Sequence, residues 1–310
     1  FNVLYEQTLS HTQILTQYGG VVPESASREH LKSIPYLVQD LKKNYLLEDI
    51  SAVAYTCGPG SSGSLLVGST FAHSLAPLLN KPLLPIHHLK GHIYAYLLEE
   101  KQPFVDDALG LIVSGGHTML VKVTPMGDFT VLGQTRDDAV GEVFDKIAKH
   151  LSLGFPGGPK VSQRAQNGQD LYRLTKPMVR DKTLDMSFSG LKSQTLRLCQ
   201  NEEICIDSIC HSFEKTCSQT LLEKVKLAFE LHRAPNFILA GGVAANKRIR
   251  HDLQSFCLKK GIHFTTPRPN WCTDNAAMIA AAALYEFNNL KRSVPKDHAF
   301  IRSAWDIESK

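Results

Sequence analysis

The chain has 310 residues, which is enough for two domains of ordinary size. Its 43% of hydrophobic and 21% of charged residues are ordinary for a globular cytosolic protein. The most apolar stretch, Ala276 to Leu284, is shorter than the roughly 18 residues that a membrane-spanning helix needs, so we expect no membrane association. A net charge of +4 does not by itself indicate nucleic-acid binding.

Seven cysteines without a CxxC pair predict a reducing compartment, and we expect a cytoplasmic protein. Strands and helices alternate along the chain, which is typical of an α/β protein. The predicted elements before residue 100 are a helix over 24–43, a strand over 50–55, a helix over 64–79, a strand over 82–86 and a helix over 88–99.

The polar stretch 101–107, which contains Pro103, predicts a boundary between two lobes, 1–105 and 106–310. The pattern of the second lobe begins with three short strands and continues with alternating helices and strands. The predicted strands are 109–113, 118–123, 129–132, 236–240 and 263–265, and the predicted helices are 140–151, 190–200, 206–232, 245–260 and 274–289.

Three glycine-rich turns lie in the second lobe, at 114–118, at 156–159 and at 241–243. Glycine lets the backbone approach a ligand closely, and a turn between a strand and a helix can direct free N–H groups at an anion. One such turn is more often a plain tight turn, but three of them favour a nucleotide-binding cleft. None fits GxGxxG or GxxxxGK[ST], which argues against Rossmann and Walker sites.

Two histidines, His88 and His92, are four residues apart in a segment that we predict to be helical. This spacing places both imidazoles on one face, with Cβ atoms about 5–6 Å apart, and suits two ligands of one metal. Surface histidines without a metal remain an equal alternative on spacing alone. Leu89 stands where the HExxH motif of zinc peptidases has its glutamate. A third ligand is needed, and Asp274 is a candidate that could also cap the following helix.

Ten short motifs follow one another along the chain: YGGVVPESASREH at 18–30, CGPG at 57–60, HHLKGH at 87–92, VSGGHT at 113–118, FDK at 144–146, FPGGP at 155–159, FSGLK at 188–192, GGVAAN at 241–246, TDN at 273–275 and IRS at 301–303 with Trp305. In this order they resemble the motifs of the tRNA N6-adenosine threonylcarbamoyltransferases of the bacterial TsaD type, a family formerly described as O-sialoglycoprotein endopeptidases. The resemblance implies the two-lobed actin/hexokinase/Hsp70-like (ASKHA) fold, with duplicated βββαβα-type lobes and a last helix that returns to the lobe interface. The family usually opens with an apolar strand and an acidic turn, and this sequence begins after them. We expect that a segment is omitted, so that the first strand is missing from the sequence and not from the fold of the lobe.

The resemblance implies a role for each matching residue. His88, His92 and Asp274 are expected to hold one divalent metal ion, Fe²⁺ or Zn²⁺; some relatives add a tyrosine ligand where this chain has Ile112. Ser162 lies near the expected substrate contacts. Those contacts are Ile112, Val113, Ser114, Gly115, Gly116, Asp145, Gly158 and Asn246.

The implied reaction transfers the threonylcarbamoyl group from threonylcarbamoyl-AMP to N6 of the adenosine 3′ of the anticodon, in tRNAs that read ANN codons. It yields N6-threonylcarbamoyladenosine and AMP, and we identify no catalytic side chain. Expected partners are tRNA, a TsaB-like paralogue and a TsaE-like ATPase. A glycoprotease-type metallopeptidase, an ATPase or kinase of the same fold and a non-catalytic scaffold are the alternatives, and fold alone does not separate them.

Overall fold

The computed structural model describes residues 1–9, 23–99, 105, 107–124, 127–200, 203–288 and 300–308. The chain forms two compact units, Phe1–Pro103 with Asp274–Lys310, and Phe104–Thr273. The start of the second unit lies close to the predicted boundary at 105/106. The chain from Asp274 onward groups with the first unit, whereas the sequence predicted a second lobe over 106–310.

The first unit contains two parallel strands, β1 and β2, that pair from Val53 with Leu83 to Gly58 with His87. Helices flank this pair, and a short 3₁₀ turn, Ala95–Leu98, follows the third helix. The elements in chain order are α1 (Pro23–Asn44), β1 (Val53–Gly58), α2 (Ser62–Leu78), β2 (Leu83–His87), α3 (His88–Tyr94) and α10 (Ala276–Asn288).

Helix α10 belongs to the first unit because it packs against α3. Gly91 makes this close approach possible, since a Cβ atom added there would lie 2.8 Å from Ile279 Cδ1. The rings of Tyr94 and Tyr285 lie 4.7 Å apart between centroids and extend the same contact. The predicted helix over 274–289 is therefore confirmed in position, although it begins two residues later.

The second unit is built on a five-stranded mixed sheet with the order β5-β4-β3-β6-β7. Strands β3, β4 and β5 are antiparallel neighbours, whereas β3, β6 and β7 are parallel. The elements in chain order are β3 (Ala108–Val113), β4 (Thr118–Val123), β5 (Phe129–Gln134), α4 (Val140–His150), α5 (Gly157–Ala165), α6 (Ser189–Leu198), α7 (Ile206–Leu231), β6 (Asn236–Ala240), α8 (Lys247–Lys260), β7 (His263–Thr265) and α9 (Pro269–Cys272).

The core of the second unit lies around the central strand β3, in which every residue is buried. A strand that is covered on both faces is expected to be apolar throughout, as Leu109, Leu111 and Val113 are. Phe144 of α4 and Phe213 of α7 meet in this core with ring centroids 4.9 Å apart. The long helix α7 therefore forms part of the hydrophobic centre of the unit.

Helix α5 differs from the sequence-based prediction, which treats 156–159 only as a turn. The helix begins at Gly157 and includes Pro159 in its first turn. Proline is tolerated there because the first N–H groups of a helix have no intrahelical partner.

Two further expectations concern the cysteines and the apolar helices. All seven cysteines are free thiols. No helix in the described ranges has the length and apolar character that crossing a bilayer requires.

Candidate functional site

The first candidate site is the histidine pair on α3. His88 and His92 lie on the same face of the helix, with ring centroids 4.8 Å apart. The side chain of His92 is 1% exposed, and neither of its ring nitrogens has a hydrogen-bond partner among the described residues. A buried polar group without a partner is costly, so this imidazole is suited to binding a ligand that satisfies it.

Asp274 completes a three-residue cluster with the two histidines. Its Oδ1 lies 3.1 Å from His92 Nε2 and 3.6 Å from His88 Nε2. Two ligands that share a tetrahedral metal at about 2.0–2.2 Å are about 3.3–3.6 Å apart, so both carboxylate–imidazole distances are close to that value, and the three ligand atoms lie within 4.8 Å of one another. Two nitrogens and one carboxylate oxygen fit a divalent ion such as zinc, and all three residues belong to the first unit.

The side chains of His87 and Asn275, next to the cluster residues in the chain, cap helices α3 and α10. His87 accepts the N–H of Leu89 at its Nδ1 (3.1 Å), and its Nε2 lies 3.1 Å from the carbonyl oxygen of Trp305. A carbonyl oxygen only accepts, so His87 carries its proton on Nε2 and caps α3 instead of joining the cluster of His88, His92 and Asp274. Asn275 Oδ1 accepts the N–H of Met278 (2.7 Å) and caps α10, a task for which the sequence made Asp274 a candidate.

A second candidate site is the carboxyl edge of β3 and β6, which belongs to the other unit. These strands are parallel, and Ile112 is paired with Ala240, so the turns that follow them are neighbours. Gly241 has a φ of +93°, and an added Cβ atom there would lie 2.4 Å from the carbonyl oxygen of Val113. Only glycine permits this approach. Ligands of open α/β sheets bind at this kind of edge.

The turn after β3 is closed by hydrogen bonds between its first and last residues. Ser114 N donates to the carbonyl oxygen of His117 (2.8 Å), and Ser114 Oγ accepts the N–H of His117 (3.0 Å). Gly115 and Gly116 are open to solvent at the tip, and a Cβ atom at either position would meet no atom within 4 Å. The backbone of the turn is therefore accessible to an anion, whereas the side chains of Ile112 and Val113 are fully buried.

Asp145 of α4 holds the beginning of α5. Its Oδ1 accepts the N–H of Gly157 at 2.7 Å, which satisfies one of the free donors of the helix. Burial raises the pKa of the Asp145 carboxyl group, and the N–H groups of Gly157 and Gly158 oppose that rise. A Cβ atom added at Gly158 would meet no atom within 4 Å, as at Gly115 and Gly116 in the turn after β3.

Asn246 links α8 to α5 and α7. Its Oδ1 accepts the N–H of Ile249 (3.0 Å), so Asn246 caps α8, and the predicted helix 245–260 begins at Lys247 instead. Its Nδ2 donates to Ser162 Oγ (2.9 Å) and to Glu214 Oε1 (2.7 Å). The structure therefore brings Asn246 together with Ser162, as expected from the resemblance. Sequence reasoning missed Glu214, because one glutamate on a long helix has no distinguishing pattern.

A pair of aspartates between β5 and α4 was also missed, although Asp-Asp directly after a strand is a visible signal. Asp137 accepts hydrogen bonds from Ser187, Phe188 and Ser189; burial raises its pKa, but these bonds outweigh burial and lower the pKa to about 2. Asp138 binds the ammonium groups of the two lysines in the FDK and FSGLK motifs. Burial raises the pKa of Asp138, and these lysines lower it to a greater extent. The two aspartates fix these motifs relative to one another.

Comparison with solved structures defines the class of fold. The crystal structure of HypF from T. kodakarensis matches 83% of this chain with a TM-score of 0.60 and 15% identity. A phosphate- and nucleotide-bound full-length HypF matches the same share with a TM-score of 0.62 and 13% identity. The chain spans 43% and 42% of the lengths of those proteins. The predicted α/β fold of the actin/hexokinase/Hsp70-like class is confirmed.

Comparison with curated sequences defines the family. Residues 2–281 match the family TsaD, tRNA N6-adenosine threonylcarbamoyltransferase. A protein of that name from Staphylococcus haemolyticus is 42% identical over 295 residues, covering 93% of this chain and 84% of the relative. One from Herminiimonas arsenicoxydans is 41% identical over 317 residues, covering 99% and 91%. The chain belongs to the tRNA N6-adenosine threonylcarbamoyltransferase family, which confirms the predicted family and enzyme class.

Proposed function

We propose that this chain transfers the threonylcarbamoyl group of threonylcarbamoyl-AMP to N6 of the adenosine 3′ of the anticodon, in tRNAs that read ANN codons. The observation that carries the proposal is the family match over 2–281, which contains every residue of both candidate sites. The relatives are named for this transfer to tRNA adenosine.

The reaction exchanges one bond at the carbamoyl carbon. The N6 nitrogen of adenosine attacks that carbon, and a C–N bond forms. The bond between the carbon and the phosphate oxygen breaks, AMP leaves with the electron pair, and the N6 proton passes to water. An exocyclic amine is a weak nucleophile, so the protein acts mainly by orienting the reactants and stabilising developing charge.

In this proposal, His88, His92 and Asp274 hold one divalent ion, Fe²⁺ or Zn²⁺. Such an ion supplies Lewis-acid polarisation of a phosphate or carbonyl oxygen of the donor. His92 is buried, whereas 76% of the Asp274 side chain is exposed. The cluster is therefore fixed at one end and accessible to substrate at the other.

The glycine turns supply the remaining contacts to the donor. The exposed backbone at Gly115 and Gly116 suits the phosphate, because N–H groups of a turn after a strand bind anions. Asp145, Gly158 and Asn246 hold the nucleoside. We propose that a TsaB-like paralogue and a TsaE-like ATPase support turnover and that the reaction takes place in the cytoplasm with its tRNA substrate.

The transfer is tested with synthetic threonylcarbamoyl-AMP, an unmodified ANN-decoding tRNA and the partner proteins, followed by mass spectrometry of the tRNA nucleosides. N6-threonylcarbamoyladenosine is the expected product, and its absence would overturn the proposal. Loss of product in His88→Ala and Asp274→Ala is expected, with His211→Ala as the control, since His211 lies in the other unit and bonds to the Ala165 carbonyl oxygen (2.9 Å). Full activity of both cluster variants would refute the metal assignment.

The same preparation separates the alternatives. Chelator-sensitive cleavage of casein would favour a metallopeptidase, and turnover of free ATP without tRNA or partners would favour an ATPase or kinase. Neither activity is expected.

A further inference from the structure

The buried carboxyl group of Glu214 is hydrogen-bonded to the amide of Asn246, which is a substrate contact in the proposed function. Glu214 lies on α7, and only 7% of its surface is exposed. Its Oε1 accepts a hydrogen bond from Asn246 Nδ2 at 2.7 Å. Buried carboxyl groups need partners, and here the partner is a residue of the candidate site.

The orientation of the Asn246 amide is fixed from both ends. The N–H of Ile249 only donates, so the atom 3.0 Å away must be the carbonyl oxygen Oδ1. Glu214 Oε1 is an acceptor, so the atom that it meets must be the amide nitrogen. Two independent contacts therefore exclude the flipped amide.

The same bonds decide what Asn246 offers to a substrate. An asparagine amide has two donor hydrogens and two acceptor lone pairs. Ser162 and Glu214 use both hydrogens, and Ile249 uses one lone pair. One lone pair of Oδ1 is left, and Asn246 is half-buried, so part of its surface is accessible.

We infer that Glu214, together with Ser162, is a positioning residue for the transferase, which turns the carbonyl oxygen of Asn246 toward a hydroxyl or amine donor of the nucleoside. This inference rests on the proposed function. Glu214 itself need not touch the substrate. Its loss removes one of the contacts that fix the amide and leaves those to Ile249 and Ser162, so the carbonyl oxygen of Asn246 is held less firmly in the orientation that the substrate needs.

The first test compares Glu214→Ala with Glu214→Gln. The glutamine keeps an acceptor oxygen, so we expect the KM for threonylcarbamoyl-AMP to rise about tenfold in Glu214→Ala and less than about threefold in Glu214→Gln. The kcat should stay within about twofold in both. Thr220→Val is the matched control, because Thr220 is fully buried on the same helix and its hydroxyl bonds to the Thr216 carbonyl oxygen (2.8 Å) of that helix.

The second test exchanges the amide group of residue 246 and the carboxyl group of residue 214. Asn246→Asp places two carboxyl groups against each other, and we expect kcat/KM to fall about 100-fold. Adding Glu214→Gln supplies an amide that donates to the new carboxylate, so the double variant should recover at least about tenfold. Melting temperatures of all variants show how much of each effect is a loss of folding.

The outcomes distinguish this inference from the proposed function. No N6-threonylcarbamoyladenosine from the wild type would overturn both. An active wild type would overturn the inference alone if Glu214→Ala had the same donor KM as Thr220→Val, or if the double variant failed to recover. A donor KM unchanged by Asn246→Ala would also overturn it.

Discussion

Replacement of His92 by leucine should change the stability of this protein in opposite directions with and without metal. The imidazole is 1% exposed, and neither of its nitrogens has a hydrogen-bond partner in the described part of the chain. Each unsatisfied buried polar group costs about 1–3 kcal/mol. Its contact with Asp274 offsets little of this cost, because that carboxylate is 76% exposed and exposed ion pairs contribute about 0–1 kcal/mol.

Without metal, His92→Leu should therefore be more stable than the wild type by about 1–3 kcal/mol. With a divalent ion at about 100 times its Kd, the wild type should gain about 2.7 kcal/mol, a rise in Tm of several degrees. The variant lacks one of three ligands and should gain much less. The order of stability of the two proteins thus reverses when metal is added.

The assay is thermal unfolding of both proteins in excess chelator and then with Zn²⁺, or Fe²⁺ under anaerobic conditions. The control is His211→Leu, which should lose stability in both conditions and keep the full metal-dependent rise. An equal rise in Tm for the wild type and His92→Leu would refute the metal assignment. A variant less stable than the wild type in chelator would show that the imidazole has a partner within the protein.

Three further predictions concern named contacts. The ionised Asp137 stabilises the folded wild type above about pH 4, and this stabilisation is lost as the pH falls toward 2, because the pKa of Asp137 in the folded protein is lowered to about 2. Asp137→Asn should remove this stabilisation, which acid unfolding followed by circular dichroism checks. Gly91→Val should separate α10 from α3 at Ile279 and lower stability by about 1–3 kcal/mol together with metal affinity, measured by denaturation and metal titration. Asp145→Ala should cost about 1 kcal/mol through loss of the bond to Gly157, and Asp145→Asn less, since its amide oxygen still accepts; equal losses in urea unfolding would contradict this.

Local patterns in the sequence determined the order of helices and strands and two of the three residues of the candidate metal cluster. Apolar runs and glycine turns predicted the strands of the mixed sheet, because each strand is defined by neighbours in the chain. The spacing of His88 and His92 placed both on one helix face for the same reason. The ordered motifs along the chain were sufficient to identify the family.

Contacts between distant segments had to come from the tertiary structure. Asp274 is far along the chain from His88, and it lies 3.1 Å from His92 because α10 packs on α3 at Gly91. The same packing placed the end of the chain in the first unit. The beginning of α5 was missed because Asp145, on another helix, supplies the partner that its first N–H group needs.

Glu214 shows the same limit at the level of one hydrogen bond. Its position on α7 gives no sign that it faces Asn246, because that contact depends on how α7 and α8 pack. The sequence thus determined which side chains were available for chemistry, since it specifies the type of each residue and the spacing between neighbours in the chain. The tertiary structure decided which of them meet, because burial and helix packing bring together residues that no local pattern connects.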